Sequence, residues 1–102
     1  NFVPTVGYDE IPSEFSLLQN YPNPFNPTTT IAFNIPEQTL ITLKIYNVVG
    51  EEIAMLLDEM EFDAGTHEIE FDASYLSSGV YFYRLYDANG TFVATKKLLL
   101  LK

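Results

Sequence analysis

From Thr29 onward the apolar residues fall at every second position: Ile31, Phe33 and Ile35; Ile41, Leu43 and Ile45; Ile53, Met55 and Leu57; then His67, Ile69 and Phe71. A period of two is the signature of strands with one buried face. Turn chemistry stands between the runs. Pro36 ends one, Asn47 to Gly50 separates the next two, Ala64-Gly65 opens another, and Asn89-Gly90 lies between Tyr86 and Phe92. The pattern predicts strands at 16–20, 29–35, 40–46, 52–58, 66–72, 79–87 and 91–101. Their spacing of about 8 to 12 residues predicts an all-β fold, an immunoglobulin-like antiparallel β-sandwich of about seven strands. Residues 73–78 suit a short helical turn with Asp72 as its cap. No longer helix and no internal repeat is present in the sequence.

The sixth run, "GVYFYRLYD", carries two apolar rows. With Tyr81, Tyr83 and Leu85 facing the core, Phe82, Arg84 and Tyr86 share the outer face, where the guanidinium stacks between the two rings. Leu76 and Gly79 ahead of Tyr81 suit a tyrosine corner, its hydroxyl returning to backbone upstream of the strand. The last run, "TKKLLLLK", has leucine on both faces, Leu99 and Leu101 on one and Leu98 and Leu100 on the other. Two accounts stay open. In one, Leu98 and Leu100 sit under a loop or the N-terminal segment, and the lysines guard an edge against aggregation. In the other, this strand is an address read by a receptor through strand addition, the lysines fixing orientation.

At the other end, "QNYPNPFNPTTTIAF" removes three backbone donors at Pro22, Pro24 and Pro27, which forbids a central strand. The stretch is an edge or a crossing, with Asn23 and Asn26 closing local turns and Tyr21 and Phe25 plugging the end of the sandwich. Residues 1–14 mix Pro, Gly and acids without a period and read as a linker or lead-in strand; the domain runs from 15 to 102.

The chain's 102 residues make one domain, and a domain of that size buries roughly two-thirds of the surface its unfolded chain exposes. At 47% hydrophobic and 15% aromatic it is not a disordered tail, and no apolar run approaches the ~20 residues of a membrane helix, so no membrane insertion is expected. With neither an initiator Met nor a signal peptide at Asn1, it reads as a C-terminal fragment of a longer protein. Fourteen acidic residues against five basic ones give a net charge of -9, which disfavours nucleic acid and anionic bilayers as partners. The absence of cysteine excludes disulfides, thiol catalysis and thiolate zinc. Three of the five cations, Lys96, Lys97 and Lys102, stand in the last seven positions.

Four segments together resemble a known family: "LLQNYPNPFNPTTTIAFNIP" at 17–36, "LKIYNVVGEEI" at 43–53, "AGTHEIEFDASYLSSGVYFYRL" at 64–85 and "KKLLLLK" at 96–102. They are similar to the C-terminal sorting domain of type A cargo of the type IX secretion system of Bacteroidetes and related Gram-negative phyla. The resemblance covers about residues 15–102 and implies an immunoglobulin-like, non-catalytic signal domain. Such a domain directs a covalently linked upstream cargo from the periplasm across the outer membrane, to the cell surface or the medium. The implied partners are the translocon with its shuttle components and a sortase-like cysteine peptidase that removes the domain and attaches the cargo to surface lipopolysaccharide. By position, the family's glycine-rich motif falls on Gly79, Val80, Tyr81, Arg84 and Leu85, and its terminal element on Lys96, Lys97, Leu98, Leu99, Leu100 and Lys102. Its proline-rich entry falls on Tyr21, Pro22, Asn23, Pro24, Phe25, Asn26 and Pro27. Two positions depart from the family's habit: Leu98 stands where methionine is frequent, and Glu51-Glu52 follow Gly50 where basic or polar residues are common. Cleavage in the family falls upstream of the domain, which points to a cut within or before residues 1–14.

An enzyme is not expected, and no cofactor is implied. His67 shares its row with Ile69 and Phe71, and no triad or metal partners assemble around it; a satisfied, partly buried histidine is the better reading. Asp58, Glu59, Glu61 and Asp63 cluster around one predicted turn without the spacing of a calcium loop, as a solvated acidic loop does. Glu68 and Glu70 alternate outward on strand five. The alternative from another class is a carbohydrate-binding module of a polysaccharide-degrading enzyme, for which Phe82, Tyr86 and Tyr46 are the rings on offer in a chain without Trp. A third is a structural immunoglobulin-like module of the kind found in flagellar hook-capping proteins.

Overall fold

The computed structural model describes residues 12–102. Among these residues seven strands are present: β1 (Ser16–Leu17), β2 (Thr28–Ile35), β3 (Thr39–Tyr46), β4 (Glu52–Phe62), β5 (Gly65–Asp72), β6 (Gly79–Asp87) and β7 (Val93–Leu100). They form two antiparallel sheets, β1-β2-β5 and β4-β3-β6-β7. The expected sandwich is therefore the observed one. The proposed linker at residues 1–14 lies almost wholly outside the described residues.

Alternation places the core. On β2, Thr29, Ile31, Phe33 and Ile35 are buried; Ile41, Leu43 and Ile45 follow on β3, and Tyr81, Tyr83 and Leu85 on β6. The inner rows of the two sheets face one another in a single cluster that also takes in Leu17, Phe25, Leu57, Phe71, Leu98 and Leu100. His67 sits in the inner row of β5, opposite Phe33, with its ring 4.8 Å from that of Phe62 and its Nε2 2.7 Å from the Asp63 carbonyl. It is the satisfied, partly buried histidine of the sequence reading.

β4 departs most from expectation. It runs on to Phe62, so Asp58, Glu59 and Glu61 stand on a strand and only Asp63 lies in the link to β5. Three register shifts against β3 each put an extra residue into β4, and Glu59 takes the left-handed conformation at φ 49°. Every such bulge turns the following side chains to the other face. The expected row Ile53-Met55-Leu57 is broken accordingly: Leu57 is buried and Met55 is exposed, while Ala54 and Leu56 pack on the core.

The turns follow their residues. Asn47 Oδ1 accepts from the amides of Val49 and Glu51, and Gly50 at φ 89° closes the β3–β4 loop. Asp72 Oδ1 accepts from the Ser74 amide as a cap, but what it opens is a turn, not a helix.

Candidate functional site

The proline-rich entry and the last strand, about 75 positions apart in sequence, meet along one seam. The Phe25 amide donates to the Leu99 carbonyl at 3.0 Å and the Leu101 amide donates to the Phe25 carbonyl at 3.0 Å, making a parallel bridge beside Leu100. Asn23 Oδ1 accepts from the Leu99 amide at 3.0 Å, and Gln19 Nε2 donates to the Lys97 carbonyl at 2.8 Å. The outward edge of β7 from Lys97 to Leu101 is thus occupied from within the molecule. Strand addition there, one of the two accounts of "KKLLLLK", finds those groups already bonded.

Phe25 plugs the sandwich at 3% exposure, as expected; Tyr21 does not, at 80%. The reason is register. Tyr21 bridges to Thr30, a member of the outward row of β2, and its ring follows that row into solvent. Asn23, expected to close a local turn, reaches β7 instead, and no side-chain bond of Asn26 is present among the described residues.

Asn20, which the sequence reading passed over, is the buried polar centre of the seam. Its amide donates to the Tyr83 hydroxyl at 2.8 Å, and that hydroxyl donates to the Leu18 carbonyl at 2.7 Å. Its Nδ2 donates to Thr29 Oγ1 at 2.9 Å, and Thr29 in turn donates to the Pro22 carbonyl at 2.8 Å. No buried side-chain nitrogen or oxygen among the described residues lacks a partner. Burial pushes the Tyr83 phenol up to about 12, with the Asn20 amide pulling the other way. The only advance signal was an Asn set directly before a proline-rich crossing.

The residues singled out by the resemblance divide into two sets. Tyr81, Leu85, Leu98 and Leu100 are buried in the core. Gly79 pairs with Leu100, and the Tyr81 hydroxyl donates to the Ser77 carbonyl at 2.7 Å, which is the expected tyrosine corner. Lys96 is half-buried in the inner row, opposite Tyr83. Val80, Arg84, Lys97 and Leu99 lie in the outer rows of β6 and β7. Lys102 folds over the corner, its amide on Ser78 Oγ and its ammonium on the Ser74 carbonyl.

On that outer face Arg84 does not sit between Phe82 and Tyr86. Its guanidinium lies 5.6 Å over the ring of Tyr46 on the neighbouring strand, and its Nε donates to Thr95 Oγ1 at 2.9 Å. Lys44 is the direct cross-strand partner of Arg84, and Tyr46 lies diagonally across the strand pair, within reach of a long side chain. The hydroxyls of Tyr46 and Tyr86 are 2.8 Å apart. Burial and this hydrogen bond raise the Tyr46 phenol to about 12; at Tyr86 the effect of burial is outweighed by Tyr46, Arg84 and Lys44, and its phenol is lowered. Either hydroxyl can be the donor of the pair. A cleft of about 300 Å³ opens beside them, between Tyr46, Val48, Phe82, Arg84 and Thr95. Among the described residues no group of three or more His, Asp or Glu converges as metal ligands would, and no helix is long and apolar enough to cross a membrane.

Part of PorZ, described as an essential bacterial surface component of the type IX secretion system of human oral-microbiomic Porphyromonas gingivalis, is similar in fold, with a TM-score of 0.55 at 22% identity. The likeness covers 82% of this chain and 11% of that one. No match was found among curated proteins. Residues 19–101 match the family described as "Secretion system C-terminal sorting domain", a span that opens at Gln19 on the seam and closes at Leu101 on the same seam. Both halves of the seam, the corner at Tyr81 and all but the first strand fall inside that match, and the chain belongs to the type IX secretion C-terminal sorting domain family.

Proposed function

We propose that this domain is the non-catalytic export signal of the protein to which it is joined. It carries that cargo from the periplasm through the type IX translocon and its shuttle components, for attachment at the cell surface or release. A sortase-like cysteine peptidase then cuts upstream of the sandwich, within or before residues 1–14, so that 15–102 acts as the sorting unit. The observation that carries this reading is the family match over residues 19–101. The arrangement of the motif residues supports a division of labour. Tyr81, Leu85, Leu98 and Leu100 hold the fold, whereas Val80, Arg84, Lys97, Leu99 and Lys102 are the contact residues offered to the export machinery.

All seven strands lie within 15–102, which can be fused to a periplasmic reporter in a type IX-competent host. Deleting 96–102 would remove the buried Leu98 and Leu100 and so unfold the domain as well as erase its signal. The discriminating variant is Lys97→Gln with Lys102→Gln. The reporter is expected to reach the surface or medium with the native domain and to stay in the periplasm, attached to a folded domain, with the double variant. Unchanged export of that variant would remove the lysines from the signal.

A further inference from the structure

We infer that the outer face of the β4-β3-β6-β7 sheet is a binding site for an acidic polypeptide segment, with Arg84 receiving its carboxylate and Val48 and Phe82 receiving an apolar neighbour. The site reaches beyond the family's motif positions to Lys44, Tyr46 and Val48, and it does not rest on the sorting role.

Charge placement is the first observation. A chain of net charge -9 has five cations, and the register of the sheet gathers three of them on one face: Lys44 opposite Arg84, and Lys97 opposite Phe82, next to the Arg84–Thr95 pair. Among the described residues the one salt bridge is Lys44 to Glu52 at 3.1 Å, which leaves Arg84 and Lys97 without a carboxylate. The other carboxylate of the adjoining hairpin, Glu51, is held by Asn47 Nδ2 at 2.7 Å.

Preorganisation is the second. Arg84 is exposed, yet it is fixed by the Tyr46 ring beneath it, by the Nε bond to Thr95 and by a hydrogen bond toward the Tyr86 phenol, and it has no carboxylate partner among the described residues. A guanidinium held in this way presents a fork that fits a carboxylate with two parallel bonds.

Shape and apolar surface choose the class of ligand. The cleft at Arg84 is bounded by Phe82 and Val48, and Val48 and Val49 at the hairpin tip are 67% and 74% exposed. A carboxylate beside an aliphatic side chain satisfies both halves, as peptide segments with alternating acidic and apolar residues do. A polyphosphate backbone would use the cations without using the valines. A neutral sugar would use the rings without using the unpaired cations.

The test is a titration of the full chain into a short fluorescein-labelled peptide of alternating glutamate and valine, read by fluorescence anisotropy. Matched arms use the glutamine-for-glutamate peptide and, by amide NMR shifts, a neutral xylo-oligosaccharide. Binding of the glutamate peptide is expected to shift amides of residues 44–50, 82–86 and 95–97 and to weaken as salt rises. Arg84→Gln should weaken it about tenfold or more, the scale of a lost hydrogen bond to a charged group, and Arg84→Lys should recover part. Thermal melts check that each variant folds, and Lys97→Gln serves as a second variant on the same face. Equal affinity for the glutamine peptide, wild-type affinity in both variants, absence of binding by the glutamate peptide, or binding of the xylo-oligosaccharide in its place would each overturn the inference. Reporter export, measured in cells, succeeds or fails separately from this result.

Discussion

The seam where the proline-rich entry meets β7 and the outer face of the same sheet are built from neighbouring residues, yet they use their polar groups in opposite ways. Along the seam every donor and acceptor named above is consumed internally: Asn20, Tyr83, Thr29, Gln19 and Asn23 each answer a backbone or side-chain partner. On the face, Arg84 and Lys97 hold charges that the fold does not neutralise. The polar groups of the seam are spent on the fold, while the charges on the face are left without a carboxylate, and substitutions should separate the two.

The largest effect is expected at the seam's apolar anchor. Phe25→Ala opens a cavity under the bridge to Leu100 and should cost about 3–5 kcal/mol in denaturant unfolding, a large share of a small domain's stability. Next comes Tyr83→Phe, which strands the Leu18 carbonyl and the Asn20 amide at a cost of about 1–3 kcal/mol at neutral pH. Tyr83 also sets an alkaline signature. Its folded-state pKa of about 12 lies above the ordinary phenol value of 10.0, so the native state holds a proton that the unfolded chain releases. That stabilisation is complete below pH 10.0 and is lost as pH rises towards 12, by up to about 3 kcal/mol. Melts at stepped pH should show this decline in the native chain and a flatter one in Tyr83→Phe. A smaller change, about 0.5–1 kcal/mol, is expected for Asn23→Ala, along with faster hydrogen exchange at the Leu99 amide. At the bottom of the scale, Arg84→Gln should leave stability within about 0.5 kcal/mol while weakening capture of an acidic peptide about tenfold or more. An Arg84 variant as unstable as Phe25→Ala would erase the distinction between seam and face.

How far the sequence foretold this depends on the range of the interaction involved. Alternation is local, and it placed the inner rows of β2, β3, β5 and β6 within a residue or two, along with the Tyr81 corner and the half-buried His67. Bulges are set by the partner strand, which is why β4 outran its expected end and turned Met55 outward. The seam depends on two segments far apart in sequence finding a common register, and nothing near Asn20 or Asn23 reveals that partner. Arg84 shows the same limit from the other side. Its presence on the outer face with Phe82 and Tyr86 was legible from period two, but the ring it stacks on belongs to β3. Exposure of the family's motif residues was only half legible, since the motif does not separate Leu98, which the core needs, from Lys97, which it leaves free.

The seam also bears on the order of events in synthesis and folding. Phe25 and Asn23 emerge early and wait for partners at Leu99 to Leu101, so the loop they close is among the longest in the domain. Until those last residues are available, β6 has an unpaired side, the core lacks Leu98 and Leu100, and the entry segment has nothing to bridge. A copy interrupted before Leu98 has no local substitute for the missing strand. Closure of the sandwich therefore waits on β7, and the entry segment and the core are completed in the same step.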